Sequence, residues 1–397
     1  MKKILIFSHA MEIGGAERAL LGLLESIDTT KYQVDLFLLR HEGELMKYIP
    51  ENINLLPENS SYAAMQGSIV AAIKNCQFRV GIGRLIAKIR TALSVKKFGY
   101  SDSSAVAIEY SHKYTYKVMP QMSDDAYDIA ISFLTPHYYV ANKVNARKKI
   151  AWIHTDYATM QIDRNSELKM WRCYDTIVSI SKSVTDNFLK TFPELREKIT
   201  EIGNILPRKS MARQAAEKII EPQFEACDSI RLLSIGRFCQ AKNFDNVPVI
   251  CKKLRDEGLD IVWFLIGFGI DEELIFDKIK EQRMEKYVVV LGKKENPYPY
   301  IANCDLYVQP SRYEGKCVSV IEAQTLNKPV VITNYSTASS QLEDGKDGVI
   351  VPLSVDECAR ELAKVIRDKS IQQKLIQNTK NRDYSNSTEI NKVYQLL

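Results

Sequence analysis

A chain of 397 residues is too long for one ordinary hydrophobic core and fits two domains of nearly 200 residues each, and an apolar fraction of 45% supplies both cores. The formal net charge of +5 is mild, so overall charge gives no reason to expect a nucleic-acid partner and only local clusters matter. Eight cysteines (Cys76, Cys173, Cys227, Cys239, Cys251, Cys304, Cys317 and Cys358) lie scattered without a Cys-x-x-Cys pair, the usage expected of reduced cytosolic thiols rather than of a disulfide framework. The first residues run straight into a short strand and lack the apolar segment of a signal peptide, and no uninterrupted apolar run approaches the ~18 residues of a membrane span.

In chain order, residues 4–7 read as a buried parallel strand, followed by Gly14, Gly15 and an amphipathic helix to about residue 27; residues 32–39 supply the next strand. This strand, glycine loop and helix open a doubly wound α/β domain, but no Gly-x-Gly-x-x-Gly follows the first strand, which argues against a nicotinamide enzyme. From about residue 71 to 117 the composition turns basic: Lys74, Arg79, Arg84, Lys88, Arg90, Lys96, Lys97, Lys113 and Lys117 face only Asp102 and Glu109. Within that stretch Val80, Ile82, Leu85, Ile86, Ile89 and Leu93 fall largely on one helical face, the pattern of an interfacial amphipathic helix, so an anionic membrane surface is an expected partner. Residues 127–134 and 149–154 read as later strands. The second ends at His154, where an open α/β sheet presents its ligand crevice. A strand at 176–180 precedes a domain boundary near Pro207.

The polar stretch 208–228, with alternating charge and Pro222, reads as a linker. A second doubly wound domain is then expected, with strands at 230–235, 260–266, 288–291, 305–309 and 329–333 and helices between them; residues 387–397 have a helical pattern. In the loop after its first strand, Arg237 and Lys242 can bind a diphosphate, Arg as a planar fork and Lys as a point charge. Gly267 and Gly269 permit close backbone approach to a nucleotide. Pro310 stops the strand at 305–309, Glu314 falls in the following loop, and Glu322 falls inside the next helix. Gly315 lets the backbone turn closely, and the first amides of that helix can donate to hydroxyl or phosphate oxygens. One carboxylate with free amides suits a polyhydroxylated, anionic ligand. No Asp-x-Asp follows a strand end, and no cluster of His, Cys and carboxylates has ligand spacing, so neither a metal nor a further cofactor is expected.

Asn-Pro-Tyr-Pro-Tyr at 296–300, the strand at 305–309, Ser-Arg-Tyr-Glu-Gly at 311–315, Ile-Glu-Ala at 321–323 and Lys-Pro-Val-Val at 328–331 come in a characteristic order and spacing. They resemble the retaining glycosyltransferases of the GT-B fold, glycosyltransferase family 4 (glycosyl transferases group 1), over nearly the whole chain. The resemblance implies an α/β GT-B architecture: two doubly wound Rossmann-like domains facing a cleft, the last helix crossing back to the first domain. Residues 1–207, with the basic insertion at about 71–117, would bind the acceptor, residues 208–386 the nucleotide sugar, and 387–397 would form the crossover helix.

By the same resemblance, Gly14 and Gly15 face the donor diphosphate, His154 contacts the donor sugar, and Arg237 and Lys242 stabilise the leaving diphosphate. Gly267 approaches the nucleotide, Lys293 stands at the strand end lining the base, and Glu322 takes the ribose hydroxyls. Glu314 and the amides of Gly315, Lys316, Cys317 and Val318 hold the transferred sugar. The implied reaction is metal-independent transfer of a hexosyl or N-acetylhexosaminyl group, with retention, from a nucleotide sugar, UDP expected over GDP. A saccharide or lipid-linked acceptor is implied, as in bacterial surface polysaccharide or glycolipid synthesis, at the cytoplasmic face of the cell membrane. Cys317, Asn327 and the loop 333–341, which lacks the Gly-Gly and Glu common there, depart from the family pattern and bear on donor-sugar selectivity. Two other classes share the fold, a nucleotide-sugar epimerase and a non-catalytic partner subunit. Glu314 and Glu322 together with Gly-Gly-Ala-Glu-Arg at 14–18 distinguish a transferase from the first, and intact Arg237 and Lys242 argue against the second.

Overall fold

The computed structural model describes residues 1–65, 67–100, 105–155, 157, 160–314 and 317–397. The chain divides into two compact units, residues 1–206 with 388–397, and residues 207–387. Both are doubly wound α/β units.

In the first unit the sheet has the strand order β3-β2-β1-β4-β5-β6-β7, with β1 (Lys2–Ser8), β2 (Tyr32–Leu38), β3 (Asn54–Leu55), β4 (Ala126–Ser132), β5 (Asn145–Ile153), β6 (Thr176–Ser179) and β7 (Ile199–Glu201). All neighbours pair in parallel. Ile4, Leu5, Ile6 and Phe7 are all fully buried, which is why β1 reads as a continuous apolar run: helices cover both faces of a parallel sheet. The terminal helix Ile390–Leu396 belongs to this unit, with Val393 in its core. Tyr394 stacks on Tyr32 at 5.6 Å, donates to the Ser26 carbonyl and accepts from the Asp28 amide.

The basic stretch folds as helices Ile69–Lys74, Phe78–Phe98 and Ala105–Thr115. Asp102, one of the two acids counted against its cations, lies outside the described residues. The second helix turns its small side inward. Val80, Gly83 and Ala87 are buried, and a Cβ at Gly83 would stand 3.2 Å from Thr115 Cγ2. Ile82, Leu85, Ile86, Ile89 and Leu93 remain 43–59% exposed. Val80 therefore leaves the expected stripe for the core. Arg84 leaves the set of cations expected to face a membrane, because its guanidinium donates to the carbonyls of Ala64 (3.0 Å) and Gly67 (2.5 Å). No helix among the described residues is long and apolar enough to cross a membrane.

The second unit has the order β10-β9-β8-β11-β12-β13, again all parallel. Its strands are β8 (Ile230–Ile235), β9 (Ile261–Ile266), β10 (Val288–Gly292), β11 (Leu306–Gln309), β12 (Val330–Thr333) and β13 (Val349–Val351). The order reverses between β8 and β11, which makes the loops after these two strands the ligand-binding position of an open α/β sheet. The expected linker at 208–228 is a correction. It holds the helices Arg208–Ala215 and Pro222–Glu225. Met211 is fully buried, the Gln214 carbonyl accepts from Asn296 Nδ2 at 2.9 Å, and Phe224 packs on Phe264 and Tyr300 at 4.6 and 5.1 Å. Three anchors among many charges are enough to dock a short helix whose composition reads as solvated.

Candidate functional site

Two loops of the second unit meet at its switch point. After β8, Asn243 adopts the left-handed conformation (φ 60°) at the end of a short 3-10 turn, and its buried side chain donates to the Pro310 carbonyl at 2.8 Å. After β11, Arg312 reaches back to Asp245 through two bonds of 2.8 and 2.6 Å and to the Gln240 carbonyl at 2.7 Å. These two fasteners set Lys242 against Glu314, with Nζ 2.6 Å from Oε1. Both side chains are mostly buried. Burial opposes the charge on Lys242, but its neighbours, the Glu314 carboxylate among them, more than offset that, and its pKa is raised.

Glu314 is held from behind as well. Tyr307 Oη donates to Gln309, Gln309 Nε2 to Ser311 Oγ at 2.9 Å, and Ser311 Oγ to Glu314 Oε1 at 2.6 Å. The chain runs from the core of β11 to the loop, so the carboxylate inherits the rigidity of the sheet. Thr337 Oγ1 donates to the Glu314 carbonyl at 2.7 Å. Burial pushes the Cys317 thiol up, so at neutral pH it stands as a neutral group 3.9 Å from Lys242 Nζ. Arg237 lies exposed in the loop after β8 and has no ion-pair partner among the described residues.

Several other expected site residues already have partners within the chain. Glu322 is 3% exposed on helix Val318–Thr325, and its Oε1 accepts from Tyr298 Oη at 3.0 Å. The Cys317 amide, expected to face a sugar, donates to Gln341 Oε1 at 2.8 Å, because the loop 333–341 folds over it and Gln341 also donates to the Cys317 carbonyl. Gly315 and Lys316 lie outside the described residues, and Val318 opens the helix. The close approach at Gly267 and Gly269 is to the chain itself. A Cβ there would stand 1.9 Å from the Gly236 carbonyl oxygen and 2.2 Å from that of Phe238, so both glycines are required by the packing of one loop on the other. Lys293 Nζ lies 5.7 Å from the Phe268 ring centre, beside these loops.

In the first unit, His154 follows β5, its ring 4.6 Å from that of Phe133. Burial lowers its pKa to about 4, so it is a neutral imidazole at pH 7. Gly14 precedes helix Gly15–Ser26, and the Glu17 carboxylate folds back over it: a Cβ on Gly14 would stand 2.1 Å from Glu17 Oε2. The helix N-terminus, which favours an anion, thus carries one from its own chain where a diphosphate was expected.

Sequence reading missed Arg312, Asn243, Ser311, Gln309 and Tyr298. Signals for two of them existed. Gln309 is a polar residue ending an apolar strand, and Asn243 is the residue type that most readily takes a left-handed turn after Lys242. The fork of Arg312 to Asp245 spans 67 positions and leaves no local trace.

Residues 216–382 match the family model described as glycosyl transferases group 1. The chain is 26% identical over 179 residues, 45% of its length and 46% of the relative's, to N-acetylgalactosamine-N,N'-diacetylbacillosaminyl-diphospho-undecaprenol 4-alpha-N-acetylgalactosaminyltransferase of Campylobacter jejuni. It is also 26% identical over 249 residues, 55% of its own length and 61% of the relative's, to the amylovoran biosynthesis glycosyltransferase AmsK of Erwinia amylovora. The chain thus spans about half the length of these curated relatives. Among solved structures, a S. aureus TarM mutant in complex with fondaparinux, alpha-GlcNAc-glycerol and UDP superposes with a TM-score of 0.65 at 14% identity, covering 100% of this chain and 99% of that one. Anabaena Alr3699/HepE in complex with UDP-glucose gives 0.64 at 14% identity, with 100% of both chains covered. At that identity the likeness is one of fold. Residues 216–382 of the second unit thus resemble the glycosyl transferases group 1 family, and the two Rossmann-like units have the fold of the GT-B neighbours.

Proposed function

We propose that this protein is a retaining glycosyltransferase that moves a sugar from a UDP-sugar to a saccharide or lipid-linked acceptor. The observation that carries this reading is Lys242 Nζ held 2.6 Å from Glu314 across the β8/β11 switch point, with the exposed cation Arg237 in the same loop as Lys242. The bond from the sugar C1 to the diphosphate oxygen breaks and a bond from C1 to the acceptor oxygen forms on the same face. The acceptor proton passes to the departing phosphate oxygen. Arg237 and Lys242 neutralise the charge that collects on the diphosphate, and preorganised groups of that kind supply the largest share of such barriers. Glu314 accepts from hydroxyls of the transferred sugar, Glu322 from the ribose, and His154 is a neutral sugar contact. No metal or further cofactor is required.

The donor assignment is supported by the UDP and UDP-glucose complexes of the GT-B neighbours. The acceptor class is supported by relatives named for diphospho-undecaprenol substrates in C. jejuni and in Escherichia coli. A place at the inner face of the cell membrane is supported by residues 59–100, which hold seven Lys and Arg and no Asp or Glu. Hydrolysis of a UDP-sugar panel tests the donor site. Arg237→Ala and Lys242→Ala should each lower turnover about 100-fold, the scale of losing one preorganised charge stabiliser. Full turnover in both variants refutes the assignment.

A further inference from the structure

The loop 333–341, which follows β12, is where the chain departs from the family pattern, and its side chains share one target. Thr333 Oγ1 donates to the Ser311 carbonyl at 2.5 Å and Thr337 Oγ1 to the Glu314 carbonyl at 2.7 Å. Gln341 accepts from the Cys317 amide at 2.8 Å and donates to the Cys317 carbonyl at 3.3 Å. All four partners are backbone atoms between β11 and helix Val318–Thr325, the stretch that carries Glu314. The three side chains stand four positions apart, so Thr337 and Gln341, at the two ends of the single turn of helix Ala338–Gln341, project from the same side of it. Tyr335, Ala338 and Leu342 are buried, which anchors the loop independently of those bonds.

Glu314 is thereby constrained twice. Its carboxylate is held by Ser311 Oγ and Lys242 Nζ, and its backbone by Thr337. A carboxylate that needed only an ion partner would be satisfied by the first set alone. The second set matters to a group that has to meet a ligand at a fixed place: such groups work within about 0.5 Å of their productive position, and a shift of about 1 Å can cost about 100-fold in rate. Glycines have no side chain with which to make these bonds, so the grip belongs to this chain's own loop rather than to the Gly-Gly pattern it replaces.

We propose that Thr337 and Gln341 are positioning residues of the transfer: acting through the backbone of Glu314 and Cys317, they hold the Glu314 carboxylate where it meets the transferred sugar. The proposal rests on the transferase reading, in which Glu314 accepts from hydroxyls of that sugar. It deepens that reading by naming what fixes the sugar-binding group in place. Neither residue touches the reacting atoms.

Donor hydrolysis and UDP binding, measured together on the full chain, test it. The donor is whichever of UDP-glucose, UDP-galactose, UDP-N-acetylglucosamine and UDP-N-acetylgalactosamine the wild type hydrolyses fastest. Thr337→Val keeps the side-chain shape without the hydroxyl, and Gln341→Met keeps the length without the amide; each should lower kcat about ten-fold or more. UDP carries no transferred sugar, so its Kd by calorimetry should stay within about two-fold of wild type, and Thr337→Ser, which keeps the hydroxyl, should restore kcat to within about three-fold. Exchange of the Cys317 amide needs no donor and should quicken about ten-fold or more in Gln341→Met. Undiminished kcat in either folded variant overturns the proposal, as does a UDP affinity that falls in step with kcat, a Thr337→Ser no better than Thr337→Val, or unchanged exchange at Cys317. If one variant does not fold, the other decides alone. Those failures leave wild-type hydrolysis intact, whereas a wild type that hydrolyses none of the four donors refutes the transferase reading and the proposal with it.

Discussion

Lys242 and Glu314 form a pair whose value lies in what each would do without the other. Both are mostly buried, and removing one partner of such a pair leaves an uncompensated charge that costs about 3–5 kcal/mol. Substitution at either position therefore loses stability as well as turnover, and thermal melts have to accompany the assays. Glu167, in the first unit, gives a cleaner reading. Burial raises its pKa to about 7, against the Tyr157 hydroxyl and Trp171 indole that donate to it at 2.7 and 3.3 Å. A carboxyl whose folded pKa is raised contributes stability that is complete below its unfolded value, near 4.5, and lost as pH rises through 7. A shift of that size is worth about 3 kcal/mol. His112, His137 and His154, held neutral by burial, act in the opposite direction, but they do so in wild type and variant alike. Glu167→Gln should therefore gain about 3 kcal/mol on the wild type between pH 4 and pH 8 in urea titrations, and a pH-independent difference would show that Glu167 titrates normally.

At the scale of one element, helix Phe78–Phe98 inverts the usual arrangement. Its small residues pack inward, and its large ones, Ile82, Leu85, Ile86, Ile89 and Leu93, stand out with Arg79, Lys88, Arg90, Lys96 and Lys97 also exposed. Fully burying such a side chain is worth about 1.5–3 kcal/mol, so finishing the burial of five half-exposed ones gives about 5 kcal/mol. Five cations near an anionic leaflet add about the same, at roughly 1 kcal/mol each. Because the terms are comparable, salt should weaken binding to anionic vesicles without abolishing it, whereas changing the five cations to Glu adds repulsion and should release the protein. Arg84 is left out of this set because it is committed to the Ala64 and Gly67 carbonyls. Co-sedimentation at two ionic strengths reads the outcome. A wild type that ignores the vesicles, or a five-fold variant that stays bound, would assign the exposed stripe to something other than lipid.

At the scale of the whole chain, two units of the same parallel class place loops at the carboxyl ends of their strands, and each ends those strands in a different chemistry. The second unit offers cations and a carboxylate anchored to β11; the first offers neutral imidazoles and carboxyls with raised pKa. Arg237 and Lys242 are the groups proposed to neutralise the diphosphate, so donor turnover should persist in excess chelator. Complete loss, restored by a divalent cation, would show that protein cations alone are insufficient.

What the sequence by itself determined is what depends on local pattern. Apolar runs such as residues 4–7 and 230–235 can only be satisfied with both faces covered, and they form β1 and β8; Pro310 and the helix-forming run from 318 put Glu314 in a loop and Glu322 in a helix. What it left open is how each polar group spends its bonds. Gly267 and Gly269 are required by Gly236 and Phe238, Arg84 by two distant carbonyls, the Cys317 amide by Gln341, and the residues read as linker by Tyr300 and Asn296. Such partners lie tens of positions away, and the free energy that selects them exists only once tertiary packing has excluded water from the alternatives.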